Sequence, residues 1–107
     1  MNILKPAVAG DTEDVRTIRL GGVTGIAAAS SITVHIWRHN TTTTTVDIEA
    51  SDAGAADDDE IEVDLGSFLA TATPGEYWVD IDVDGTTWPG DRRPASLTVR
   101  DDAPPAT

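Results

Sequence analysis

The chain has no cysteine among its 107 residues, so neither a disulfide nor a thiolate metal site can reinforce the fold. Burial has to suffice, and a chain of this length closes one modest core. Basic residues are scarce: seven Lys and Arg stand against 19 Asp and Glu, a formal net charge of -12. No cluster of Lys or Arg offsets that field, so nucleic-acid and membrane-surface partners are not expected. Long apolar runs are missing as well. No window approaches a transmembrane span, and the opening "MNILKPAVAG" has no apolar stretch of signal-peptide length. Synthesis and retention in a cytoplasm, until assembly into something larger, is the expectation. The usual apparatus of catalysis is lacking too, with no nucleophile elbow and no glycine loop to cradle phosphate. His35 and His39 share one face of an extended strand, where a spacing of four residues puts them about 13 Å apart, too far to chelate one metal. A non-enzyme without a cofactor is expected.

What the sequence does have is alternation. In "SITVHIWR", Ile32, Val34 and Ile36 interleave with Thr33, His35 and Trp37, and "EIEVDL" does the same with Ile61, Val63 and Leu65. "EYWVDIDV" places Tyr77, Val79, Ile81 and Val83 on one side, and "ASLTVR" places Ala95, Leu97 and Val99. Val46 and Ile48 form a shorter run, and in "VRTIRL" Ile18 and Leu20 agree while Val15 falls out of step, which suggests a bulge or a later start. Turn formers separate the runs: the glycines at 21, 22 and 25, the threonines at 41–45, "SDAGAADDD" at 51–59, "TPG" at 73–75 and "DGTTWPGDRRP" at 84–94. "GSFLATA" reads as a helical turn. Six or seven strands, each dry on one side, satisfy themselves by stacking in two layers, so the expected fold is all-β, an immunoglobulin-like antiparallel β-sandwich. Its body spans residues 11–101, with an N-terminal arm at 1–10 and a proline-rich tail at 102–107.

Two clusters compete for a functional reading. "DIDVDG" sets Asp80, Asp82 and Asp84 at alternate positions before Gly85, with Asp91 where a closing ligand of a calcium loop would fall. Such a loop curls around its ion, whereas the interleaved Val79, Ile81 and Val83 demand an extended backbone with side chains two apart almost 7 Å from one another. A solvated strand face running into an Asp-Gly hairpin turn is therefore the favoured reading. The acids at 57–60 are expected to be a solvated hairpin tip. Trp37 and Trp78 fall opposite the core-facing row, so they are expected to share an outer aromatic patch with His35 alongside. The rival readings are a covering loop, such as the threonine run, or an Arg100 cation-π partner for Trp78. Tyr77 is expected in the core with its hydroxyl bonded near a strand corner.

The order of these features, "GDT" at 10–12, "VRTIRL", a glycine turn, "SITVHIW", "PGEYWVDIDVDGTTWP" and "ASLTVRDD", resembles the immunoglobulin-like N-terminal domain of phage baseplate upper proteins over roughly residues 8–101. Members of that family use the domain to anchor a longer fibre protein in a virion. Because this sequence ends shortly after the domain, the resemblance implies a small accessory virion protein made in the host bacterial cytoplasm. The expected function is capsid decoration through contact with the major capsid protein. A tail or baseplate component is the near alternative, and a calcium-dependent or carbohydrate-binding module is the alternative from another class. Partner contact is expected at Trp37, Trp78 and His35 and, through the arm, at Ile3 and Leu4. Self-association in the particle is a further expectation.

Overall fold

The computed structural model describes residues 3–39, 46–89 and 94–101. Its spine is the strand in which alternation is longest, β7 (Gly75–Val83), where Tyr77, Val79, Ile81 and Val83 are buried and the residues between them are partly exposed. One flank of β7 pairs along its length with β3 (Ile32–Arg38), from Ile32 opposite Val83 to Arg38 opposite Tyr77. The other flank is shared: β9 (Ala95–Arg100) takes Gly75 to Val79, and β8 (Thr86–Trp88) takes Ile81 to Val83. β4 (Val46–Glu49) adds to the far side of β3 and β1 (Ala7–Val8) to the far side of β9. The result is a curled six-stranded sheet ordered β1-β9-β7-β3-β4, with β8 beside β7. A second sheet holds β2 (Val15–Arg19), β6 (Glu60–Asp64) and β5 (Ser51–Asp52), in the order β2-β6-β5.

One core joins the two sheets. Ile18, Leu20, Ile61, Val63 and Leu65 from the smaller layer pack in a single cluster with Val34, Ile36, Val79, Ile81, Leu97 and Val99 from the larger. Burial of apolar surface is the main stabilising term, and the two-residue period directs it to one face of each strand. The bulge or late start expected at Val15 is absent: β2 begins there and pairs without interruption from Val15 opposite Asp64 to Arg19 opposite Glu60, and the broken phase reflects only that Val15 is exposed at the strand end.

Three parts of this architecture depart from the sequence reading. Residues 3–9, expected within an N-terminal arm that contacts a partner, lie along the chain's own last strand. Ile3 bridges Ser96, the Leu4 and Ala9 amides donate to the Ser96 and Arg100 carbonyls, and Ala7 is buried in the core. This β1–β9 pairing is parallel, so the larger sheet is mixed rather than purely antiparallel. The segment after Asp84, read as loop, contains β8, and its Trp88 side chain is buried. The strand is only three residues long, with exposed Thr86 and Thr87, so no alternation could announce it.

The turns follow local chemistry. Asp84 and Gly85 both take positive φ, 50° and 92°, and Val83 pairs with Thr86, which makes a two-residue hairpin of the type that Asp-Gly favours. Between β6 and β7 the chain makes one helical turn, α1 (Gly66–Leu69), which buries Phe68 and Leu69. A 3-10 turn at Ile26–Ala28 plugs the β2–β3 connection with buried Ile26.

Candidate functional site

The outward residues of β3, β4, β7 and β9 share the outer face of the larger sheet, and the register fixes their neighbours. Trp37 is paired with Trp78, which has Ser96 on its other side. One row along, His35 lies between Asp47 of β4 and Asp80 of β7. The next row is Glu49, Thr33 and Asp82. On the opposite side of the tryptophans, Glu76 accepts a 3.0 Å hydrogen bond from the Thr98 hydroxyl. Trp37 and Trp78, expected to share an exposed outer patch, are direct cross-strand partners, although both side chains are half-buried rather than fully exposed.

Part of that burial has a partner the sequence did not suggest. The His39 ring stacks on Trp78 with centroids 3.8 Å apart and planes 19° from parallel. His39 continues the outer-face parity one step past β3, which brings it diagonally beside Trp78. Its Nε2 is buried without a hydrogen-bond partner among the described residues. No ring contact joins Arg100 to Trp78 among the described residues. The cation-π contact that does form lies on the inner side, with the Arg38 guanidinium 5.1 Å from the Tyr77 ring centroid. The threonine run at 41–45, weighed as a cover for the indoles, lies outside the described residues.

His35, for which sequence offered no acidic partner, has its Nδ1 2.8 Å from Asp47 Oδ1. The other neighbour, Asp80, is less well placed. Loss of hydration on partial burial raises its pKa, His35 opposes that rise, and Asp82 and Asp47 add to it. The acids therefore crowd one another around a single imidazole, and the aromatic pair has Asp47 and Asp80 in the row on one side and Glu76 on the other.

The candidate calcium residues are not gathered. The Asp82 carboxylate accepts the Gly85 amide at 2.7 Å, closing its own hairpin. Asp84 turns to the adjoining loop, where it accepts the Ser30 and Ser31 amides at 2.9 Å. Asp80 is beside His35, and Asp91 lies outside the described residues. Among the described residues no three His, Asp or Glu side chains are grouped as a metal site. The acids at 57–60 are not merely solvated: Asp58 accepts the Ala27 amide at 2.8 Å, and buried Asp59 accepts Arg19 Nε at 2.9 Å. They tie the segment before β6 to the 3-10 turn and to the end of β2, both far away in sequence, a role invisible before the fold is known.

The two arm residues differ. Ile3 is 76% exposed, whereas Leu4 packs against the core. No protein-family model, curated protein or solved structure matches this chain.

Proposed function

We propose that this chain is an immunoglobulin-like β-sandwich that acts by contact rather than by chemistry, as an accessory virion protein decorating a capsid through the major capsid protein. The fold reading is supported by the layering of β1-β9-β7-β3-β4 over β2-β6-β5. It is also supported by the Tyr77 hydroxyl, which donates 2.6 Å back to the Thr73 carbonyl at the corner before β7, the device that marks the sixth strand of such domains. The virion address rests on the likeness of "PGEY", "DG", "WP" and "LTV" to the phage domain.

The observation that carries the contact reading is the Trp37–Trp78 pair on the outer face of the larger sheet, with carboxylates near it. Paired indoles supply large, rigid contact area, and the surrounding acids favour a partner that presents Lys or Arg, which can meet both a ring face and a carboxylate. Weak contacts of this kind add up when many copies bind a symmetric lattice. A tail or baseplate component would use the same face and differ only in location.

The test replaces Trp37 and Trp78 by serine and measures incorporation into particles of the encoding phage, with circular dichroism to verify the fold. Incorporation is expected to fall at least tenfold, the equivalent of about 1.4 kcal/mol. Unchanged incorporation of a folded double variant removes this face from the mechanism. Mass spectrometry of virions separated into heads and tails then assigns the location, and absence from both ends the virion reading.

A further inference from the structure

At the end of the core nearest α1, a cavity of about 420 Å3 opens between β3, the start of β4 and the helical turn. Val46, Phe68 and Ala72 supply apolar walls, Ser67 and Thr71 border it, and the Arg38 guanidinium faces it. This arginine is held by Tyr77 at two points. Its Nη1 donates to the Tyr77 hydroxyl at 3.1 Å, and its Cζ lies over the Tyr77 ring. Tyr77 is fixed in turn by its bond to the Thr73 carbonyl and by the edge of Phe68, 5.3 Å away at 90°. Space for the guanidinium depends on Gly75, where an added Cβ would stand 2.7 Å from Arg38 Nη2.

Charge makes this arrangement distinctive. The ion pairs among the described residues join Arg16 to Asp14, Arg19 to Asp57 and Asp59, and His35 to Asp47. None of them joins Arg38 to a described carboxylate, although acids outnumber Lys and Arg by 19 to 7. A guanidinium presents five N–H donors in a planar fork, and one described bond, to Tyr77, leaves much of that fork for a ligand. The fork matches a carboxylate, and its fixed position lowers the ordering cost of binding. From this geometry we propose that the Arg38 cavity is a binding site for one carboxylate carried on a short apolar or aromatic stem, with the stem against Phe68 and Ala72. The carboxylate can come from a free organic acid or from the terminus of a partner chain.

The experiment follows backbone amides by two-dimensional NMR while the whole chain is titrated in two arms. One arm uses sodium benzoate with benzamide as its neutral control, and the other uses N-acetyl-Ala-Phe with its C-terminal amide as control. The expected result is saturable movement of the Ser67, Thr71 and Ala72 amides with a dissociation constant on the order of 1 mM, given by the acids only. Saturation by benzoate alone identifies free acids as the ligand class, and tighter binding of the peptide acid identifies a chain terminus. Arg38→Met is expected to abolish the movement, and Gly75→Ala, which displaces the guanidinium, to weaken it at least tenfold. If Arg38→Met does not fold, Arg38→Lys keeps the charge without the fork and is also expected to lose at least tenfold. Equal responses to acids and amides, responses that survive the folded Arg38 variant, or no saturation in either arm would each overturn the assignment.

Discussion

Gly66→Ala sets two physical effects against each other, and the structure decides the winner. Gly66 opens α1, where alanine in place of glycine is ordinarily favourable by about 0.5–1 kcal/mol because it has less backbone entropy to lose. Its surroundings oppose this. A Cβ added there would stand 2.3 Å from the Thr12 carbonyl oxygen, 2.8 Å from its carbon and 3.0 Å from Asp64 Oδ1. A carbon–oxygen contact normally begins at about 3.3 Å, so helix and loop would have to separate by roughly 1 Å. Main chain cannot rotate away as a flexible side chain does, and both sides are tied. Gly66 donates to Asp64 at 2.8 Å, Leu65 donates to the Asp14 carbonyl, and Gly10 donates to the Leu69 carbonyl. A 1 Å gap beneath Phe68 and Leu69 would also forfeit up to about half of the dispersion energy at each opened contact. Overpacking costs about 1–3 kcal/mol, and the upper end applies to a main-chain collision. After the propensity gain, a net loss of about 2 kcal/mol remains, or roughly 10 °C in melting temperature for a domain of this size. Urea and thermal unfolding followed by circular dichroism read this directly. The exposed neighbour Ser67→Ala is the control and should stay within about 0.5 kcal/mol of the parent. A Gly66→Ala protein as stable as the parent would refute the reasoning, because propensity would then have prevailed over the close approach.

Two further outcomes are expected. Asp84→Ala removes the acceptor for the Ser30 and Ser31 amides and puts alanine at φ 50°, so it should cost about 1–2 kcal/mol and speed hydrogen exchange at both amides. Asp84→Asn, which keeps an oxygen acceptor and tolerates that φ, should retain most of the stability; equal losses in the two variants would count against the capping role. Asp80→Asn tests electrostatic crowding. The folded state raises the Asp80 pKa, chiefly through burial, so the ionised carboxylate works against folding. That penalty is absent below the unfolded value of 3.8, where both states are protonated, and grows as pH rises through the folded pKa. Asp80→Asn should therefore be more stable than the parent at neutral pH, with the difference vanishing toward pH 3. A constant difference across that range would show that another cause dominates.

Much of the larger sheet is legible in the sequence because a half-buried strand leaves a simple mark. Ile32, Val34 and Ile36, then Tyr77, Val79, Ile81 and Val83, then Ala95, Leu97 and Val99 all face inward as their alternation requires. That phase also places Trp37, Trp78 and His35 on one outer face. Register across strands is a tertiary property, however, so the Asp47 partner of His35 and the stacking of His39 on Trp78 were beyond reach. β1 and β8 are too short for periodicity to register, and their pairing depends on β9 and β7 already being in place. Asp58 and Asp59 read as solvated acids because their partners, the Ala27 amide and Arg19, are brought in by the fold. The Arg38 cavity was unreadable for the same reason: Ser67 to Tyr77 supply most of its wall from one stretch, but Arg38 and Val46 are brought against that stretch only by the pairing of β3 with β7 and β4.

Among the described residues the strand that ends the larger sheet, β4, pairs with β3 alone, and its two outward side chains are Asp47 and Glu49. An unpaired strand edge is a template for fusion with another copy, and two such edges meeting here would bring like charges into opposition across the new ladder. A second copy approaching along this border therefore meets repulsion instead of an open ladder, and neutralising Asp47 and Glu49 would remove that barrier.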